Sequence, residues 1–473
     1  MKKRILALLL AIILCMAVVL PAQSTLVQAA EAGGQIMSPW AMSDLVVGET
    51  YGIFPATWAE KSMTTSITQA KFSVLLAGLR HKLLATDEIT ERNDARPKLD
   101  SSLSVEEVVK AYYVILSNYD YPVDLGMNNG LSAVAYMKKI GIYTGANGEQ
   151  SLKDRCSIEQ AIALATRIVT YLYEAVGASS KGFLWEVKSG ENTIYLLGSI
   201  HLASSRIYPF SSKIWQAYLS SDALIVEADI YNQQELQAMN ALVMYMDGTT
   251  LKDHVSAECY EKAVRTAKLL GITEAQVALV KPWYLSSVME NYLLAGTVDA
   301  DKLVSALGID RTFINQAYLY QKPLAQIEGL TKQIQIIDGF SPELQEFMLM
   351  DYIDRLDEFL AGTENKEELS TNEYANLLLQ YWHEGNVEEF GKIYSEDDLS
   401  EAAEDAKLQK LMAEYKDKLM VQRDNGMADY INNLLKTEGS NTYFVVVGAG
   451  HFISDNDVID RLEDKGYTVT QIK

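Results

Sequence analysis

The pattern of apolar and polar positions changes character near residue 180. Before it, apolar residues recur at helical spacing behind short polar openings. Ile67-Thr68-Gln69-Ala70-Lys71-Phe72, Leu103-Ser104-Val105-Glu106-Glu107-Val108 and Cys156-Ser157-Ile158-Glu159-Gln160-Ala161 each set an apolar residue, then Thr or Ser, then helix formers. A Ser or Thr oxygen at that position accepts a free N–H of the first helical turn, so the pattern predicts three capped helices. Gly52 and Gly141 precede the first and third as turn positions. Short repeated units of this kind bury a face only against one another, which predicts a small all-α bundle.

After residue 182 the apolar runs become strand-length and alternate with helical stretches. Residues 183–189 and 193–200 predict a hairpin around Gly190-Glu191-Asn192. Residues 223–226, 323–327 and 443–447 predict three short buried strands. Several helices are expected between 256 and 362. Residues 364–438 read as charged amphipathic helix with a solvated face. A helix over 458–462, a turn at Gly466 and a last strand at Tyr467-Thr468-Val469 close the chain. The alternation predicts an α/β domain with a central, mostly parallel sheet and many helices. The expected organisation is a signal peptide (1–30), a helical repeat domain (31–176), a small-residue linker (177–181) and an α/β domain (182–473).

Composition narrows the function classes. The 473 residues are 48% hydrophobic and 22% charged, as in ordinary globular proteins. The net charge of −22 repels phosphate backbones, so nucleic acid is not an expected partner. Lys2, Lys3 and Arg4 precede an apolar stretch over 5–20 that Pro21 breaks, with small residues around Ala29. This is the pattern of an export signal, and the expected product is secreted or attached to the cell surface. The alternative is an uncleaved membrane anchor. Cys156 and Cys259 remain beyond the signal, without C-x-x-C spacing, and are read as isolated thiols.

The chemistry is carried by a pattern that occurs twice. Thr193-Ile194-Tyr195-Leu196-Leu197-Gly198-Ser199-Ile200-His201 and Tyr443-Phe444-Val445-Val446-Val447-Gly448-Ala449-Gly450-His451 each run from an apolar strand into Gly-x-x-His. Each delivers a histidine just past a strand end, where open α/β sheets build their sites. Glu227 follows Leu224-Ile225-Val226, and Glu328 follows Leu324-Ala325-Gln326-Ile327. If the strands are parallel neighbours, His201, Glu227, Glu328 and His451 converge at one sheet edge. Two imidazoles and two carboxylates suit a divalent metal, or acid–base work without one. Asp229 is an alternative to Glu227, and Ser199 and Ser204 place hydroxyls near His201. His81, His254 and His383 are read as structural or solvated. A strand-end site residue contributes little packing, so replacing Glu227 or His451 is expected to cost at most about 1–2 kcal/mol.

Two resemblances arise from these motifs. The N-terminal units resemble the S-layer homology repeat, through Gly141-Ile142-Tyr143-Thr144-Gly145 and Ile67-Thr68-Gln69-Ala70-Lys71-Phe72. That likeness implies binding to a cell-wall polymer. Gln69 stands where the repeat has Arg, and the middle unit lacks the Gly turn.

Residues 182–473 resemble the TraB/GumN family, which embraces pheromone-shutdown proteins and the Tiki metalloproteases. The carriers include the two Gly-x-x-His runs, Ala223 to Asp229, Lys281-Pro282-Trp283, Gly308-Ile309-Asp310, Lys322-Pro323 and Arg423-Asp424-Asn425-Gly426. The resemblance implies a metal-dependent, peptidase-like hydrolase acting on a peptide or small molecule. His201, His451 and Glu227 would be both catalytic residues and metal ligands, with Glu328 and Arg423 in support. The ion expected is Mn, Co or Zn, and Arg423 is the candidate to stabilise a developing oxyanion. Two alternatives stay open. One is a metal-free, esterase-like hydrolase with His201 as base. The other is a non-catalytic protein that binds a peptide or tetrapyrrole at the same histidines.

Overall fold

A computed structural model describes residues 36–99, 102–127, 129–144, 152–201, 203–295, 307–362, 371–394 and 406–473. The export signal at 1–30 lies outside the described residues. Among the described residues no helix is long and apolar enough to cross a membrane.

The three capped helices form as Gln69–Leu83, Val105–Leu116 and Ile158–Val176. Thr68 accepts the Lys71 N–H. Ser104 and Ser157 close capping boxes with Glu107 and Gln160. Their starts meet in space. The Ile67 N–H donates to the Cys156 carbonyl, and the Cys156 N–H donates to the Leu103 carbonyl. Isolated bridges pair Ser66 with Ser157 and Ser104 with Arg155. Among the described residues this part also holds the α-helices Met42–Thr50 and Ala133–Lys139, the 3₁₀ turns Pro39–Ala41 and Ala56–Glu60, and a ribbon of β1 (Thr90–Glu91) with β2 (Tyr119–Asp120). Cys156 and Cys259 are both buried and unpaired.

Gly177, at φ 78°, ends the helix Ile158–Val176. The small residues after it are docked rather than free. Ala178, Ser179 and Ser180 are buried. The Ser180 N–H donates to the Pro209 carbonyl, and the Lys181 N–H to the His383 carbonyl. The helical part thus rests directly on the second part.

The second part is built on a six-stranded sheet in the order β6-β5-β7-β4-β3-β8. The strands are β3 (Phe183–Ser189), β4 (Asn192–Ser199), β5 (Ala223–Val226), β6 (Leu324–Gln326), β7 (Thr442–Gly448) and β8 (Val469–Gln471). The four from β6 to β4 are parallel. The hairpin partner β3 pairs antiparallel with both β4 and the terminal β8, so β3 alone runs against the other five strands. In β5 and β7, Leu224, Ile225, Phe444, Val445, Val446 and Val447 are all buried, as continuous apolar runs require when helices cover both faces. Register places the site. Ser199 pairs with Gly448 and Val226 with Val446, so β4, β5 and β7 end at one edge. Beyond β6 the ladder continues, as the Glu328 and Gly329 N–H groups both donate to the Glu227 carbonyl.

Candidate active site

His201 leaves the end of β4 and is fixed by the helix Ile309–Tyr320. The Ile309 N–H donates to the Ile200 carbonyl at 3.0 Å. A Cβ on Gly308 would lie 2.4 Å from the His201 carbonyl oxygen, so only glycine lets this helix start so close. That approach brings Asp310, in the first turn, to 2.9 Å from His201 Nδ1. His451 sits in the short 3₁₀ turn Ala449–Phe452 after β7, and its Nδ1 lies 2.5 Å from Asp424 Oδ1. Each imidazole therefore has Nδ1 committed to a carboxylate, a contact that favours a proton on that nitrogen and orients the ring.

Glu227, at the end of β5, stands between them. Its Oε1 accepts the Gly448 N–H, and its Oε2 accepts from Arg423 Nη2 and Gln333 Nε2. Arg423 also grips Glu328 through Nε and Nη2. Burial by itself would raise the Glu227 carboxyl. Arg423, then His451 and His201, then the Gly448 N–H outweigh it and hold the group at about 2. Glu227 is thus an anion at any physiological pH.

Arg423 and Asp424 are neighbours on one helix yet both point inward and are buried. In a regular helix adjacent residues diverge by about 100°. Here the helix Ala406–Lys416 runs through a π turn, Asp417–Val421, into Gln422–Leu435. The π turn rotates the helix beyond it as a whole and leaves the angle between Arg423 and Asp424 unchanged, so the two reach different partners: Arg423 meets Glu227 and Glu328, and Asp424 meets His451.

These groups border one cleft of about 560 Å³, its open mouth included. His201, Glu227, Arg423 and His451 all line it. Glu328 does not; its buried carboxylate sits behind Arg423, bonded to that guanidinium and to the Gln333 amide. Asp229 is not part of the site either. The chain turns after β5, so its carboxylate accepts from the Tyr231 N–H and the Tyr318 hydroxyl. Ser204 caps the turn at Arg206, whereas Ser199 lines the cleft. His383 bonds Ser180, His254 stacks on Tyr245, and His81 is exposed. The low stability cost expected for Glu227 and His451 does not fit this geometry. Removing either side chain strands a buried partner, Arg423 in one case and Asp424 in the other. Sequence reasoning passed over Asp310 and Asp424 as partners of the imidazoles. The only sequence signal was their presence in Gly308-Ile309-Asp310 and Arg423-Asp424-Asn425.

Among the described residues no group of three or more His, Cys, Asp or Glu is arranged to hold a metal ion as it stands. The donor chemistry nonetheless fits one. A Cβ on Gly448 would lie 3.2 Å from Glu227 Oε1, 3.8 Å from His201 Nε2 and 3.8 Å from His451 Cδ2. Glycine keeps that space clear between two imidazoles and a carboxylate oxygen. Asp424, Glu227 and Glu328, all buried, and Asp310, 15% exposed, set four carboxylates against the guanidinium of Arg423 in this cluster. Such an excess of buried negative charge favours a cation.

Residues 183–471 match the TraB/PrgY/gumN family. The "Metalloprotease TIKI homolog" of Nematostella vectensis is 20% identical over 324 residues, 62% of this chain and 67% of that protein. "Metalloprotease TIKI1" of Homo sapiens is 21% identical over 319 residues, 61% of each. "Uncharacterized protein YbaP" of Escherichia coli is 25% identical over 154 residues, 31% of this chain and 53% of that one. The matched part thus spans between 53% and 67% of these relatives' own lengths. No solved structure matches this chain.

Proposed function

This chain belongs to the TraB/PrgY/gumN family, and on that premise we propose that it is a hydrolase of amide bonds in peptides that works with a divalent ion. One observation carries the reading: two carboxylate-anchored imidazoles and an ionised glutamate converge on the space beside Gly448. The distant metalloprotease relatives support it.

In this reading His201 Nε2, His451 Nε2 and Glu227 Oε1 hold the ion. Bound there, it supplies Lewis-acid polarisation of a carbonyl and a more acidic water. The chain's own residues do the rest. Asp310 and Asp424 orient the imidazoles and favour a proton on each Nδ1. A carboxylate held at about 2 is a weak base, so Glu227 acts as a ligand rather than as the acceptor of a proton. The guanidinium of Arg423 is already bonded to Glu227 and Glu328. Its role is to keep Glu227 ionised and in place, in preference to meeting an oxyanion.

The same Asp–His pairs favour a second reading. An imidazole oriented by a carboxylate is also the arrangement of a metal-free general base. Purified protein incubated with a peptide library separates the two. Cleavage stopped by a chelator and restored by Mn²⁺, Co²⁺ or Zn²⁺ is the expected result. Cleavage indifferent to the chelator supports the metal-free hydrolase, and binding without cleavage supports a peptide-binding protein.

The reading places the protein outside the cytoplasm, on the strength of the leader pattern at Lys2-Lys3-Arg4 and the apolar run behind it. The likeness of the N-terminal units to the S-layer homology repeat is what suggests attachment of that part to a cell-wall polymer. Purified wall fragments should then sediment the full-length protein. Protein left wholly in the supernatant would remove this proposal.

A further inference from the structure

The cleft has two chemically distinct halves. One is the charged cluster described above. The other is apolar and comes from three helices. The helix Thr371–Glu384 contributes Leu378, the helix Val387–Tyr394 contributes Phe390, and the π turn Asp417–Val421 contributes Leu419 and Met420. All four are buried in the fold. No charged side chain lines this half. Ser199 borders the cleft beside the Gly448 register position, and its buried hydroxyl has no protein partner among the described residues.

We propose that this half is a side-chain pocket that selects peptides carrying an aliphatic or aromatic residue next to the bond presented to His201, Glu227 and His451. The proposal rests on the hydrolase reading for its substrate class. Its physical basis is independent of any turnover. A charged side chain placed against Leu378, Phe390, Leu419 and Met420 loses its hydration and finds no counter-ion. An acidic one is further repelled by the excess of carboxylates beside Arg423. A non-polar side chain gains by leaving water. A Met beside a Phe suits side chains of varied shape.

The test uses the full chain and short Ala/Gly peptides that carry one Leu, Phe, Asp or Lys. Both cleavage and binding are measured, the latter by fluorescence anisotropy on chelator-treated protein. Leu and Phe peptides should exceed the Asp and Lys peptides by roughly 100-fold, on the scale at which apolar pockets discriminate. Phe390→Ala should shift the ranking toward larger side chains, and Met420→Trp toward Ala and Gly. Because each variant is scored by its own ranking, partial misfolding does not change the result. A flat or charge-preferring ranking, or no binding of any peptide, overturns the proposal. Apolar-selective binding without cleavage upholds the pocket and overturns the hydrolase reading instead.

Discussion

Replacing Arg423 by alanine should destabilise the protein by about 3–5 kcal/mol, the range for removing one partner of a buried ion pair. Arg423 is 4% exposed, and it is bonded to Glu227 and Glu328, which are 7% and 2% exposed. Without it two buried carboxylates face each other across Gln333, whose amide bonds both. The substitution should also change the pH dependence. In the wild type the Glu227 carboxyl is lowered from 4.5 to about 2. Its contribution to stability is therefore fully present above 4.5 and is lost as the pH falls toward 2. In the variant the uncompensated pair favours protonation, so stability recovers on mild acidification. Chemical denaturation at about pH 5 and about pH 8 reads both effects. The gap between wild type and variant should be larger at the higher pH. Equal stabilities of the two proteins under both conditions would mean that the buried triad carries no net energy.

The framework of this site was legible in the sequence because a short apolar run between polar turns fits little besides a buried strand. The runs at 223–226 and 443–447 appear as β5 and β7, and the residues after them fall at one edge because parallel register leaves no other place. The cap residues were legible for a similar reason: Ser104 and Glu107 satisfy local N–H groups whatever the tertiary context. The features that stayed hidden depend on partners distant in sequence or on helix register. Asp310 meets His201 only because Gly308 lets its helix touch the strand end. Asp424 is the partner of His451, a contact between a helix and a strand end that no periodicity announces. Asp229 lost the competition with Glu227 because the backbone does not stay extended past Val226. The charged stretch over 364–438 read as a solvated face, yet its apolar positions, Leu378 and Phe390 among them, wall the cleft.

The second large effect concerns His201, the cleaner of the two histidines to remove. Asp424, the partner of His451, is 3% exposed, so His451→Ala leaves a buried charge. Asp310, the partner of His201, is 15% exposed, so its Oδ2 can gain water when the imidazole leaves, while its Oδ1 is buried without a partner among the described residues in either protein. His201→Ala should therefore cost less stability than His451→Ala, about 1–2 kcal/mol. It should nonetheless remove a ligand, where loss of even an outer partner of a metal site weakens binding by about 10–100-fold. The most direct measurement is calorimetric titration of Mn²⁺ or Co²⁺ into the purified full chain and its His201→Ala variant, with melting curves on both. The account predicts one ion per wild-type chain, binding at least about 100-fold weaker in the variant, and closely similar melts. Equal ion binding by the two proteins, or none by either, would contradict it.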